Sequence, residues 1–552
     1  MNRLYDIFSF SEDYPLLFTQ ANFWIFFAIV YFVFAFIYKK ITLRNIYLLL
    51  ISLLFYYKTS GAFVGILIFS TCLDYTLGGL IYKQKKKNIK LALVTTSVFI
   101  NLFVLCYFKY AYFFTDSFNH LFNTNYEVIN WLGQFANTYS NQNYFTVDKI
   151  ILPVGISFYT FQTISYSVDI YRGKLKPLNS ILDFGFFVSF FPQLVAGPIV
   201  RAEHFVPQIS QFRAVTTKHF NVGTLLILKG LVKKMIFADF IAQRFLDRVF
   251  DAPEMHSGFE NIMAMIGYSL QIYGDFSGYT DIAIGLALLM GFSLPKNFNS
   301  PYKAINAADF WKRWHISLST WLKDYLYIPL GGNKRGSIAS YIIFSIVIIG
   351  LLLFYRSLNL LFVILGIIVI LFIVSQYVLK FRNYINTNIN LLLTMLIGGL
   401  WHGASWKFVI WGGLNGMGIV VYKLWRKISP YEQKKAWYFD WWKILVTFIF
   451  ITFTRIYFRG ESMDHISRWY HQVATNMDLQ NAWTIVIHYK FVFIVMALGY
   501  LAHWLPENTK NRIEKFYFKS PVYLKVVYAV IVSIVCYQSY SSDFQAFIYF
   551  QF

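Results

Sequence analysis

Apolar runs long enough to cross about 30 Å of hydrocarbon recur along the whole of this 552-residue chain, and they leave few architectures open. Clear runs occupy residues 21–38, 62–82, 90–114, 338–355, 357–379, 440–457 and 520–537. Less pure runs lie at 46–57, 150–168, 181–196, 219–239, 259–273, 278–292, 387–400, 405–423 and 489–505. Inside a bilayer every backbone N–H and C=O must be satisfied by the protein itself, so such runs read as helices. On the order of a dozen or more membrane segments are expected, some of them re-entrant. The chain is 57% hydrophobic and 14% charged, whereas an ordinary globular chain carries about a quarter charged residues. That much apolar surface has nowhere to hide in water. Residues 1–552 therefore read as a single membrane-embedded domain. Cys72, Cys106 and Cys536 each lie in an apolar run without paired spacing, and read as packing residues.

The net charge of +22 follows the membrane topology. Lys and Arg gather in short loops, Lys39–Lys40, Lys83–Lys90, Arg172–Lys176, Arg426–Lys435 and Lys510–Lys519, which the positive-inside rule places in the cytoplasm. Residues 110–148, 249–260 and 538–552 contain neither Lys nor Arg and read as the opposite side. The first residues are mildly acidic (Asp6, Glu12, Asp13) and precede a span and then Lys39–Lys40. Both termini are thus expected outside the cytoplasm, with no cleavable signal peptide. The basic residues are dispersed among spans and accompany no nucleic-acid motif, which excludes nucleic acid as a partner; the lipid bilayer and its anionic headgroups suit them.

Metal-binding, Walker, dinucleotide and Gly-x-Ser-x-Gly patterns are all absent, and no metal is expected. Two histidines stand out. His402 lies in Gly-Gly-Leu-Trp-His-Gly-Ala-Ser-Trp, residues 398–406, inside an apolar run. Ionisable side chains within a span are costly and usually functional. Gly398, Gly399, Gly403, Gly412, Gly413 and Gly416 allow close helix approach and irregular backbone around a cavity, which Trp401, Trp406 and Trp411 can wall. A buried histidine bonded to a neighbouring carbonyl accounts for the same residues equally well. His315, 87 positions earlier, sits in an amphipathic basic-aromatic segment, 309–327, suited to a membrane interface or a polar funnel.

The segment 314–332 reads Trp-His-Ile-Ser-Leu-Ser-Thr-Trp-Leu-Lys-Asp-Tyr-Leu-Tyr-Ile-Pro-Leu-Gly-Gly, and Leu-Trp-His-Gly-Ala follows at 400–404. With Pro153–Gln162, Phe191–Arg201, Tyr273–Ala283, Phe292–Tyr302 and Phe453–Gly460, it resembles the membrane-bound O-acyltransferase family. The similarity is greatest to the bacterial branch that acetylates alginate and other cell-surface polysaccharides. The resemblance implies an all-α polytopic bundle with re-entrant or tilted helices around a central tunnel. Its recognisable core would cover about 100–460, followed by C-terminal helices in 489–552. It implies a bacterial inner-membrane enzyme that takes an acyl group, most simply acetyl, from acetyl-coenzyme A or another cytoplasmic thioester. The acceptor would be a cell-surface polysaccharide or a partner extracytoplasmic acetyltransferase.

By the same resemblance His402 is the general base, and His315 positions the substrate or stabilises an oxyanion. Lys312, Arg313, Trp314, Lys323, Asp324, Trp401, Asn297 and Asp275 are candidates to line the donor site or tunnel. For Asn297 and Asp275, capping of helix ends is an equal explanation; for Lys312, Arg313 and Lys323, lipid headgroups are. The end of the chain, Phe547–Phe552, resembles an aromatic C-terminal motif of this branch and implies Tyr549 as an acyl relay. Three other readings stay open: D-alanyl-type transfer to an envelope polymer, a transporter and a non-catalytic scaffold.

Overall fold

The computed structural model describes residues 16–140, 146–194, 197–355, 378–434 and 436–539, with isolated positions between 355 and 378. Among the described residues every regular element is helical. The N-terminal part holds α1 (Ala21–Ile37), α2 (Ile41–Ser60), α3 (Val64–Lys83) and α4 (Lys87–Leu105), which passes through a π-helical turn, Cys106–Tyr110, into α5 (Ala111–Phe122). Helix α1 shows how these helices meet two apolar media. Phe23, Phe27, Val30 and Phe34 form a stripe buried in the protein, while Ile25, Ile29, Phe32 and Phe36 on the opposite face are exposed. With lipid outside, both faces can be apolar.

Helix α6 (Ile156–Tyr171) is different, because protein surrounds it on nearly all sides. Thr160, Gln162, Thr163, Ser165 and Ser167 are all buried, and the polar side chains become interhelical glue. Asp74 of α3 is the hub. It accepts from Ser97 Oγ (2.5 Å) and Asn101 Nδ2 (2.7 Å) of α4, and from Ser167 Oγ (3.2 Å) of α6. Asp74→Leu leaves these buried donors unmatched, at about 1–3 kcal/mol for each group stranded. The expected result is a lower unfolding midpoint in detergent and less protein in the membrane, with Asp74→Asn milder; thermal-shift measurement on both variants checks it.

Helices α7 (Thr217–Leu231) and α8 (Gly258–Leu289) cross through glycine. A Cβ on Gly230 would lie 2.6 Å from the Gly278 carbonyl, and one on Gly278 2.7 Å from the Gly230 carbonyl. Gly223 and Gly285 repeat the contact, at 2.9 and 2.6 Å. The pairs run in opposite chain directions, so the helices are antiparallel with backbones in contact. The sequence suggests two segments here, 259–273 and 278–292, but α8 is one continuous helix of 32 residues. Gly274 and Gly278 do not break it; they face the π-helical stretch Val232–Phe240 and α7, where only glycine fits.

The remaining chain forms the short helices α9 (Ala307–Arg313) and α10 (Ile316–Leu322), then the hairpin of α11 (Leu379–His402) and α12 (Trp406–Ile428). Helix α13 (Trp437–Thr454) follows, then α14 (Lys490–Trp504), the basic amphipathic α15 (Glu507–Lys519) and α16 (Val522–Ser539). Among the described residues five stretches, 41–83, 87–122, 406–428, 437–459 and 522–539, are long and apolar enough to cross a membrane. The pair 482–488 and 490–504, bent by 87°, is a sixth span or a re-entrant element. The chain is a polytopic helical membrane protein. The run 357–379 lies almost wholly outside the described residues, while α6 and α8 are sheathed by protein and carry polar groups that bind the bundle together.

Candidate active site

His315 is held by a tight turn between α9 and α10. Asn306 caps α9 through its side-chain oxygen, which accepts from Asp309 N at 2.8 Å. Trp314 leaves the helix in an extended conformation, and His315 then adopts φ +44°, a left-handed backbone that side chains other than glycine's rarely occupy. The turn is clamped by Ile316 N donating to Asn297 O and Asn299 N donating to Arg313 O, both at 2.9 Å. The ring is fully buried, with the edge of Phe276 4.6 Å away between centroids.

Asn297 fixes the tautomer of His315. Its Oδ1 accepts from Ser317 N (3.1 Å) and Ser317 Oγ (2.8 Å), and the backbone donor identifies this atom as the oxygen. His315 Nδ1 lies 3.1 Å from the same oxygen and so must carry hydrogen. In the neutral ring the lone pair then belongs to Nε2. Ser317 Oγ in turn accepts from Ile199 N at 3.0 Å, tying the turn to the loop before Arg201.

His402 is the last residue of α11 and is 2% exposed. Gly399 and Gly412 bring α12 onto it: a Cβ on Gly399 would be 2.3 Å from Phe408 O, and one on Gly412 2.3 Å from Met395 O. This contact sets Trp411 edge-on to His402 at 5.1 Å between ring centroids, with Phe458 at 5.6 Å. The last carbonyls of α11, the negative end of its dipole, meet a lysine and a phenol. Lys109 Nζ donates to Trp401 O (2.7 Å) and His402 O (3.2 Å), and Tyr110 OH to Leu400 O (3.0 Å).

The two imidazole rings, 87 residues apart in sequence, have centroids 6.3 Å apart. Beside His402 is a cavity of roughly 10 Å³, space for about one water-sized centre. Its polar lining is His402, Asn415 and Arg455, and the rest is apolar, chiefly aromatic: Phe310, Trp314, Trp411 and Phe458 among others. A neutral imidazole in such a dry, aromatic chamber can accept a proton from a hydroxyl while water is kept away.

The structure brings together only part of the set expected from sequence. His402, His315, Asn297, Trp314 and Trp401 form one cluster; Trp401 lies 6.0 Å from His315 and stacks on Phe161. Asp275 is not in it: its carboxylate pairs with Lys234 Nζ at 2.6 Å, on the side of α8 that meets the π-helical stretch. Lys312 and Lys323 are exposed, Arg313 pairs with Asp309 (3.0 Å) and Asp324 with Arg201 (2.6 Å). Tyr549 lies outside the described residues. Lys109, Asn415 and Arg455 are the site residues that the sequence reading passes over. Two had a signal: Lys109 is a charge inside the apolar run 90–114, and Arg455 one inside 440–457.

Comparison with known proteins agrees with this geometry. The sequence profile of the membrane-bound O-acyltransferase family matches residues 175–349, which include His315. The "Probable alginate O-acetylase AlgI" of Pseudomonas aeruginosa is 34% identical over 432 residues, 77% of this chain and 69% of that protein. This chain belongs to the membrane-bound O-acyltransferase family. Another member, the peptidoglycan O-acetyltransferase of Helicobacter pylori, is 32% identical over 449 residues, 76% of this chain and 72% of its own. The teichoic acid D-alanyltransferase of Bacillus subtilis is 27% identical over 329 residues, 57% of this chain and 71% of its own. The chain is an integral membrane O-acyltransferase, an enzyme that uses an activated acyl donor.

Proposed function

We propose that this enzyme moves an acetyl group from a cytoplasmic acyl thioester, acetyl-coenzyme A or a relative of it, to a hydroxyl reached from the far side of a bacterial inner membrane. The acceptor is a cell-surface polysaccharide, or a partner transferase that passes the group on. Both termini lie outside the cytoplasm. The observation that carries this reading is the buried pair His315 and His402 beside a narrow aromatic cavity.

A thioester is already activated, so the protein's tasks are to take the hydroxyl proton and to stabilise charge on the carbonyl oxygen. His402, lining the cavity, is the general base. His315 is the positioning residue. With Nδ1–H committed to Asn297, its neutral ring offers Nε2 as an acceptor, able to orient the incoming hydroxyl but not to donate to an oxyanion. Trp314 and Trp401 wall the site and exclude water, which protects the thioester from hydrolysis. Lys312, Arg313 and Lys323 face outward and suit the phosphates of the donor, with Asp324 anchoring Arg201 nearby. The part played by Tyr549, as an acyl relay, rests on the resemblance of the chain end alone.

The cavity favours acetyl over D-alanyl: a D-alanyl group carries an ammonium, and the lining includes Arg455 and no carboxylate. The test is chemical analysis of envelope polymers from cells with and without the chain. Base-labile acetate that depends on the chain is the expected result. Dependence of D-alanine esters instead of acetate overturns the acetyl assignment, and dependence of neither returns the transporter and scaffold readings.

A further inference from the structure

Arg455 follows the last residue of α13 and is 3% exposed. A guanidinium buried in a membrane protein is expensive unless something compensates its charge. Three other cations among the described residues, two of them buried, are compensated from within. Lys234 has both Asp239 (2.7 Å) and Asp275 (2.6 Å). Arg44 donates to the carbonyls of Ile209 (2.6 Å) and Gln211 (3.1 Å) and to Asn45 Oδ1. Lys109 sits on the carbonyl end of α11. Among the described residues Arg455 has no carboxylate within ion-pair distance. Its hydrogen bonds to them come from one nitrogen, Nη1, to Tyr302 OH and to Ser269 O at 3.4 Å. Aromatic faces supply the rest: Cζ is 4.7 Å from the Trp314 ring and 5.2 Å from that of Tyr302. The same guanidinium lines the cavity with His402.

A buried cation, held from one side and lining the cavity with the general base, meets no negative charge among the described residues. The reaction generates one. We propose that Arg455 is the oxyanion-stabilising residue of this active site, its guanidinium donating to the thioester carbonyl oxygen as charge develops there. The proposal rests on the acyl-transfer reading of His402. The acceptor oxygen attacks the thioester carbonyl carbon and forms the new C–O bond, while its proton passes to His402. The carbonyl π electrons move to the oxygen, which Arg455 faces. Collapse re-forms C=O and breaks C–S, and the departing thiolate takes the proton back from His402. Arg455 fills the role that the tautomer of His315 leaves empty, and its contact with Trp314 couples it to the residue preceding His315.

The test uses the full chain in lipid nanodiscs, acetyl-coenzyme A as donor, a soluble uronic-acid polysaccharide as acceptor, and thiol release as the rate. Arg455→Met should lower kcat by about 10²–10³-fold, as loss of one oxyanion donor does elsewhere, with KM for the donor within about threefold of wild type. Arg455→Lys should recover part of the loss, and added methylguanidine should raise the rate of the methionine variant alone. Tyr302→Phe, which removes a hydrogen bond but leaves the cation, serves as the structural comparison and should keep most of the activity. A methionine variant with wild-type kcat overturns the proposal. So does one whose deficit tracks lost thermal stability and is matched by Tyr302→Phe. His402→Ala is run beside them. If it is inactive while Arg455→Met is not, only the role of Arg455 fails. If it too is active, the acyl-transfer reading of His402 beneath the proposal has failed.

Discussion

Replacing His402 with alanine should cut acyl transfer by about 10²–10⁴-fold, the span that a positioned general base contributes. The effect should fall on the rate and spare the amount of enzyme. Truncating the His402 side chain removes no helical hydrogen bond, and the contact of α11 with α12 at Gly399 and Gly412 is made with backbone atoms rather than with the imidazole. His402→Gln should be nearly as inactive, since an amide fills the space but cannot take the proton. Added imidazole should restore part of the activity to the alanine variant and none to the glutamine variant, whose side chain occupies the gap. The measurement is initial ester formation per unit of protein in the membrane. A pore that merely conducts acyl groups, or a scaffold that recruits other enzymes, has no use for a base at this position. Wild-type rates in the alanine variant at equal membrane levels would therefore move the chemistry elsewhere.

How much of this was legible beforehand depends on which physical signal each residue leaves in a sequence. His402 stands out as a histidine among glycines and tryptophans, but residue physics leaves a functional and a packing role equally open, and the family resemblance of Leu400–Ala404 decides between them. The helical membrane class is plain from the apolar runs. What the sequence does not carry is distance. The 6.3 Å separation of the two rings is set by backbone contacts at Gly399 and Gly412 and by the left-handed turn at His315, none of which follows from a spacing of 87 residues. Amphipathic segments mislead in another way. Lys312, Lys323, Arg313 and Asp324 mark an interface, but the pattern cannot distinguish a funnel from a lipid surface, and the structure shows two exposed and two paired. Asp275 reads like a tunnel residue only through the resemblance of Tyr273–Ala283 to the family's motif. Its partner Lys234 lies on another helix, 41 positions away. Lys109 and Arg455 show the reverse error: each was visible as a charge within an apolar run, a signal the sequence reading did not use.

Asn297 offers the sharpest test of how the second histidine is held. Replacing it with leucine keeps a branched side chain, though a larger one, and deletes the oxygen that Ser317 N, Ser317 Oγ and His315 Nδ1 share. Buried donors left without an acceptor cost about 1–3 kcal/mol each, so the turn should loosen rather than repack. Its looseness reaches the site directly, because the φ of +44° at His315 persists only while its surroundings over-determine it. A displacement of about 1 Å at a reacting centre can cost 10²-fold in rate, and Asn297→Leu should show a loss of that order together with a lower unfolding midpoint. Asn297→Asp separates the two effects. It keeps an oxygen for Ser317, so folding should be close to normal, yet it sets a carboxylate against His315 Nδ1–H. An adjacent negative charge favours the imidazolium, which means that His315 loses its Nε2 lone pair at a higher pH as the solution is acidified. The acid limb of the pH–rate profile should therefore shift upward in the aspartate variant, and activity should return as the pH is raised. A leucine variant with wild-type rate and stability would remove Asn297 from the argument. An aspartate variant as inactive as leucine at every pH would show that the amide nitrogen, not the oxygen, is what the site requires.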